Sequence, residues 1–549
     1  MREKHRWKIK RWLLLLISPV AVLAIVAAVI FLSPRPAPQS RYTVGRTTTF
    51  VDGPVAQDGY IDYVTALNER LRGSIRPAEN ANVLIWRMFG PHPEGRGTMP
   101  PSYFRWLGME RPPEQGDYWI RRERFLQERS GLGPRAHLLA NVDDLILVDQ
   151  QFDQAQRGPW KRKTFTWLAA WLEANARPLD LALQASQCSE YYNPLVPGGM
   201  NASYSTLMDS LLPNVQMCRE VAQALVCRAM LELDEGRVDH AWRDLLACHR
   251  LGRLIAEGGT GVEMLVSLAI DQVADRADLA VTAHGRLDSK SLLAKLNELR
   301  RLPPFPSLAD KVDLAERCLF LDSVALIMRH GASGMEFLAG RKPDLASASL
   351  LERIERAWLD WRLDHVNWDL VLRSGNEWYD RLVGVVRLPD RSEREAELAA
   401  CTADLNNLSK SALARSQWAV FLSPTDTDQT MADILIGLML PAVPKLQVAV
   451  DQNAQRQNNL YLAFALAAYR QDHGVYPKAL SALLPNYLRE MPADLFSGQP
   501  LIYRPRADGY LLYSVGVNGK DEQGRGYEDN PPGDDVSVHM PLARQAERP

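Results

Sequence analysis

From about Tyr60 to Leu440 the apolar positions recur at three- and four-residue steps, the period of a helix with one buried face. Few stretches in that interval alternate with the period of a strand. Val221 to Leu233 is a run of strong helix formers without proline. It stops at Asp234-Glu-Gly-Arg237, and a second helix is predicted from Val238 to Ala256. The same period predicts helices at about Thr164–Cys188, Gly261–Ala283, Ser289–Arg301, Leu308–Arg329 and Leu350–Val385. The proline clusters at Pro112-Pro113 and Pro303–Pro306 mark breaks between them. An irregular all-α domain over residues 59–440 is the economical reading.

Two apolar patterns stand apart. Trp12 to Leu32 is interrupted only by Ser18 and Pro19. At about 1.5 Å per residue it reaches roughly 30 Å, the thickness of a bilayer's hydrocarbon core. Six basic residues and one acid precede it within residues 1–11, so the positive-inside rule predicts a cytoplasmic tail and an exported remainder. A cleaved signal peptide is the alternative. The small pair Val26 and Ala28 is followed by more hydrophobic sequence, which favours an uncleaved anchor. The second pattern is Ile354, Trp358, Trp361, His365, Trp368 and Leu372, one face of the expected helix over 350–385. It reads as a core stripe with a satisfied histidine rather than an exposed aromatic platform. Ile434 to Leu440 is strongly apolar, but Pro441, Pro444, Lys445 and Asp451 make the segment too short and polar for a second span.

After about Ser423 the pattern changes. A long helix is predicted from Lys445 to Gln471, capped near Gly474, with apolar positions at Val448, Leu460, Leu462, Leu466 and Ala467. A short amphipathic helix from Lys478 to Leu484 stops at Pro485. Two strands follow at about Leu501–Arg504 and Tyr510–Val515, joined by a turn at Ala507-Asp-Gly509. Asn518 to Gly526 is then an acidic, glycine-rich loop.

Within this stretch, Asp472-His-Gly-Val-Tyr-Pro477, Pro492-Ala-Asp-Leu-Phe-Ser-Gly498 and Tyr513-Ser-Val-Gly516 occur in a fixed order. So ordered, the segment resembles the C-terminal half of the major pseudopilin of type II secretion systems, a pilin-like α+β module. The resemblance covers about the last hundred residues. It implies a calcium site with Asp521 and Asp535 as carboxylate ligands and backbone carbonyls near Ser514 and Asn518. Glycines let such a loop fold around an ion that takes six to eight oxygens. The other reading is a solvated acidic turn. The N-terminus departs from the family: it has no glycine-ended leader and no acid within the apolar run. Gly236 with Ala241 also resembles the turn of one tetratricopeptide hairpin, with no second copy at a fixed period.

The chain has 549 residues, with 46% hydrophobic and 24% charged, which is ordinary globular composition and enough for several domains. A net charge of −2 gives no electrostatic case for a nucleic-acid partner. The six cysteines show no C-x-x-C or zinc spacing and read as buried free thiols, with Cys227 and Cys248 the best-placed pair for any bond. No nucleophile elbow, zinc-protease helix, phosphate loop or dinucleotide fingerprint occurs.

The expected organisation is a basic tail (1–11), a transmembrane helix (12–32), a proline-rich linker (33–58), the all-α domain (59–440), the pseudopilin-like module (441–540) and a disordered tail (541–549). The expected function is that of a periplasm-facing protein of the bacterial inner membrane, a non-enzymatic interaction or assembly factor for an unidentified protein partner. A membrane-anchored hydrolase working within the helical domain is the alternative.

Overall fold

The computed structural model describes residues 42–94, 99–129, 142–198, 204–284, 287–341, 349–418, 424–440 and 442–542. The expected basic tail, membrane helix and the first part of the proline-rich linker (33–41) lie outside the described residues, as does all but the start of the C-terminal tail.

The described chain is mainly helical, with one small antiparallel sheet near the C-terminus. Seven helices open it: α1 (Tyr63–Arg72), α2 (Ala81–Phe89), α3 (Pro101–Leu107), α4 (Arg122–Arg129), α5 (Val142–Arg157), α6 (Thr166–Ala174) and α7 (Ala176–Ala185). The helix expected over 164–188 is thus two helices. Asn175 makes the break: its amide oxygen accepts from Ile120 N–H at 2.8 Å and its Nδ2 donates to Ile120 C=O at 3.1 Å.

The central layer is α8 (Pro213–Asp234), α9 (Val238–Ala256), α10 (Gly261–Ala283) and α11 (Ser289–Arg300). The turn between α8 and α9 falls at Gly236, as the sequence predicts, and Ala241 is fully buried beside it. Helix α10 starts with a capping box in which Thr260 and Glu263 satisfy each other's backbone N–H groups. Cys227 and Cys248 are both buried free thiols, and all six cysteines are unpaired.

Leu308–Lys311 leads through a π turn at Val312–Glu316 into α12 (Arg317–His330). Then come α13 (Ala332–Leu338), α14 (Leu350–Asp364), α15 (Trp368–Val386), α16 (Arg391–Trp418) and α17 (Pro424–Met439). The aromatic stripe therefore spans two helices. Asn367 caps α15 by accepting from Leu370 N–H, which leaves His365 exposed and Trp368 buried. The chain from Tyr42 onward packs on this region. Thr43 bonds Asp369, and the Phe50 ring stacks on the guanidinium of Arg317 at 4.4 Å.

Asp428–His473 is apolar and long enough to cross a membrane by length and composition. It is split between α17 and α18 (Ala442–His473), and Leu435, Ile436, Leu440 and Val443 are buried in the helical core. Helix α18 then carries the sheet. Strand β1 (Ile502–Arg506) pairs with β2 (Gly509–Ser514), and β2 with β3 (Val536–Met540), all antiparallel. Leu460, Phe464 and Ala467 of α18, Trp242 of α9 and Leu292 and Leu296 of α11 share one buried cluster with Tyr510, Leu512 and Val538. The short helix expected at 478–484 is a 3₁₀ turn, Leu480–Leu483.

Candidate functional sites

Two groups of ionisable side chains converge, one on the C-terminal loop and one deep in the helical core. The loop joins β2 to β3 and begins at Gly516, whose φ of +66° and whose contact with Asp534 leave no room for a side chain. A Cβ there would sit 2.2 Å from the Asp534 carbonyl oxygen. The loop is hung from Asp494, the acid of the Pro492–Gly498 motif. Its buried carboxylate accepts from Ser514 Oγ at 2.7 Å, Val515 N–H at 3.2 Å, Phe496 N–H at 2.9 Å and Ser497 Oγ at 2.9 Å.

Across this loop Glu522, Asp534 and Asp535 bring carboxylate oxygens within 4.8 Å of one another. Loop N–H groups hold them in place. Gly524 and Glu522 donate to Asp535 at 2.7 and 3.1 Å, Asn518 donates to Asp534 at 2.8 Å, and Asp534 donates to Glu522 at 2.6 Å. One oxygen each of Asp534 and Asp535 is buried without a partner. Burial, reinforced by Glu522 and Asp521, raises the Asp535 carboxyl to about 6. An oxygen-only set of three acids with two unsatisfied oxygens fits a hard divalent ion such as calcium.

Of the residues the resemblance implies, Asp535 belongs to this group. Asp521 faces Tyr513 Oη at 2.8 Å, Gln523 N–H at 2.8 Å and Arg504 at 3.4 Å instead. The Ser514 side chain serves Asp494, and the Asn518 amide donates to Glu522 at 3.2 Å. Glu522 and Asp534 belong to the group although the resemblance did not imply them. Each neighbours an expected one in sequence, and the loop's path turns both Asp534 and Asp535 inward but only Glu522 of the Asp521–Glu522 pair.

The second group lies where α9, α10 and α18 meet. Asp271, Asp275 and Asp278 fall at three- and four-residue steps, so they share one face of α10, and His249 and Arg253 are four residues apart on α9. The two helices approach closely because Gly252 faces Ser267, whose carbonyl oxygen a Cβ would meet at 3.2 Å. His249 Nδ1 is 2.6 Å from Asp271 and Nε2 is 2.9 Å from Asp278. Asp271 also accepts from Arg253 at 2.7 Å and from two α18 amides, Asn453 at 2.9 Å and Gln457 at 2.8 Å.

All five of these acids and bases are buried. Burial alone would raise the Asp271 carboxyl, but His249 and Arg253 hold it well below its usual range. Burial alone would lower His249, yet Asp271 and Asp278 hold the imidazole up at about 10. Asp275 differs from its neighbours: neither of its oxygens has a hydrogen-bond partner, and burial pushes its carboxyl well up. His249, Asp275 and Asp278 place ligand atoms within 4.8 Å of one another. No motif announces this group, although acids at a helical period inside an apolar run are visible in the sequence.

A cleft of about 1150 Å³ opens elsewhere, between α2, α7 and the Gly108–Tyr118 segment. Arg87, Arg111, Arg177, Tyr118 and Pro112 line it. Its described lining holds no histidine, cysteine or serine.

No protein-family model, curated protein or solved structure matches the chain.

Proposed function

We propose that the chain is a bacterial inner-membrane protein, anchored through residues 12–32, whose periplasmic mass acts as a non-enzymatic interaction or assembly factor. In this reading its last hundred residues are a pseudopilin-like module related to type II secretion. The observation that supports it best is the convergence of Glu522, Asp534 and Asp535 on a loop that also displays Tyr527, which is 90% exposed. Calcium would supply the charge that lets three carboxylates share the loop. Tyr527 offers the kind of amphipathic aromatic contact that protein interfaces favour.

The test uses the full chain in detergent. A ligand that binds only the folded state adds about 2.7 kcal/mol at a hundredfold excess over its dissociation constant, so calcium should raise the melting temperature. Glu522→Gln with Asp535→Asn should abolish the rise, and Asp521→Ala should keep it. The protein that copurifies from native membrane should be lost both with chelator and in Tyr527→Ala. A melting temperature indifferent to calcium ends the calcium reading, and a copurified partner indifferent to both treatments ends the role of the loop.

Topology is tested separately. An alkaline phosphatase fusion after Ser40 should be active and one after Arg11 inactive, as the six basic residues of the tail require. An inactive fusion after Ser40 removes the periplasmic placement.

The hydrolase alternative has the 1150 Å³ cleft in its favour. That cleft offers Glu110 and Asp117 beside its arginines and tyrosine, but Asp117 is paired with Arg177 at 2.7 Å and His249 is sealed in the core away from it.

A further inference from the structure

Buried carboxylates in folded proteins are nearly always hydrogen-bonded or matched by a cation. Asp275 breaks that rule with both oxygens, and Asp278 with one, at the same point in the core. Asp275 is 5% exposed and Asp278 fully buried. The unsatisfied atoms belong to one group with His249, whose Nε2 is 2.9 Å from Asp278. Around a tetrahedral ion with bonds of about 2.0–2.1 Å, neighbouring ligand atoms lie roughly 3.4 Å apart. The ligand atoms of the group lie within 4.8 Å of one another, near enough for small side-chain shifts to close them around such an ion.

We propose that His249, Asp275 and Asp278 form a structural site for a divalent transition-metal ion of the zinc class. An imidazole nitrogen with carboxylate oxygens suits such an ion better than calcium, which takes oxygens alone. Nε2 of His249 is the nitrogen ligand. Nδ1 donates to Asp271 at 2.6 Å, the outer carboxylate that fixes the tautomer and orientation of a metal-bound histidine. Asp271 is held in turn by Arg253 on α9 and by Asn453 and Gln457 on α18. Those three side chains fill three positions of a tetrahedral ion, and a water enclosed in the core would take the fourth.

Its place gives it a role. The ligands come from α9 and α10, and the outer shell reaches α18, the helix that carries the sheet. Such an ion would tie the helical domain to the C-terminal module from inside. The competing arrangement has no metal: His249 stays charged between Asp271 and Asp278, and Arg456 of α18, whose Nε is also buried without a partner, neutralises Asp275.

The experiment measures metal content of the full chain purified in detergent, by mass spectrometry. About one equivalent of a zinc-class metal is expected. It should persist in Glu522→Gln/Asp535→Asn, which separates it from the loop, and be absent from the near-isosteric Asp275→Asn and from His249→Gln. Asp271→Asn, a positioning change, should weaken zinc affinity by about 10–100-fold while still binding one ion. Cobalt exchanged into the wild type should give the visible bands of a tetrahedral site. Should Asp275→Asn fail to fold, the wild-type metal content and cobalt spectrum still decide. A wild type without such a metal, whose melting temperature zinc does not raise after chelator dialysis, overturns the proposal. So does metal retained at full stoichiometry in Asp275→Asn and His249→Gln.

Discussion

Glu316 is a half-buried acid and Asp275 a buried one, and they differ further in what faces each of them. Glu316 Oε1 accepts from Gly261 N–H at 2.8 Å, at the start of α10, so its charge has a backbone partner. Burial nonetheless raises its carboxyl above the usual range, more than that N–H and Lys311 lower it. A carboxyl raised on folding contributes stability that is present below its unfolded pKa of about 4.3 and is lost as pH rises through the folded value. Glu316→Gln cannot ionise. Its stability in urea, relative to the wild type, should therefore improve as pH rises from about 4.5 to 7.5. A difference independent of pH would show that the group is not perturbed. Sequence could not have singled out Glu316, because the raising comes from neighbours distant in the chain. Asp271, Asp275 and Asp278 also went unread, although their pattern carries a signal. Their spacing among Leu268, Ile270, Ala274 and Ala277 puts acids on a face that has no water to meet. What the pattern hid was His249, which reaches them only because α9 folds back on α10.

At the scale of elements, periodicity located most helices and failed at their interruptions. Gly261–Ala283 matches its expected span because both ends carry local signals, the Thr260–Glu263 box at one and Gly285 in the sequence just past the other. The breaks at Asn175 and Asn367 were passed over because an apolar stripe continues across each of them. An asparagine competes with the helix by bonding nearby backbone, and whether it wins depends on tertiary partners such as Ile120. The π turn at Val312–Glu316 likewise leaves no mark in the hydrophobic pattern. In the C-terminal stretch, β1 and β2 lie within a residue or two of the expected spans, and the Asp494 turn sits where its motif placed it. Strand β3 went unread because Val536–Met540 is short and follows a proline-rich loop. Its third place in the sheet is set by the antiparallel ladder with β2, and Asn459 of α18 adds a bond from Nδ2 to Val536 C=O at 2.7 Å.

At the scale of the whole molecule, α18 is the element that decides whether the two expected domains behave as one. Its buried polar residues face both ways: Asn453 donates to Asp271 of α10 at 2.9 Å, whereas Gln455 accepts from Leu495 N–H at 2.7 Å and donates to Asn459. Its apolar residues face both ways, with Phe464 fully buried and packed edge-on against Trp242 at 5.9 Å. Because Trp242 belongs to α9 and the same cluster includes Tyr510 and Leu512 of β2, one core spans residue 440. Phe464→Ala removes a ring from that shared core and should cost about 3–5 kcal/mol, through lost burial and the cavity left behind. If the core is shared, the loss is felt by both parts. Near-ultraviolet circular dichroism, to which the tyrosines of the sheet contribute, and far-ultraviolet signal from the helices should then fall in a single transition at a lower temperature. If the sheet melts earlier while the helical signal keeps its wild-type midpoint, the module is an independent unit resting on the helical domain. That outcome would also remove the mechanical purpose of a metal ion between α9, α10 and α18, since an internal tie matters only where the parts it joins unfold together.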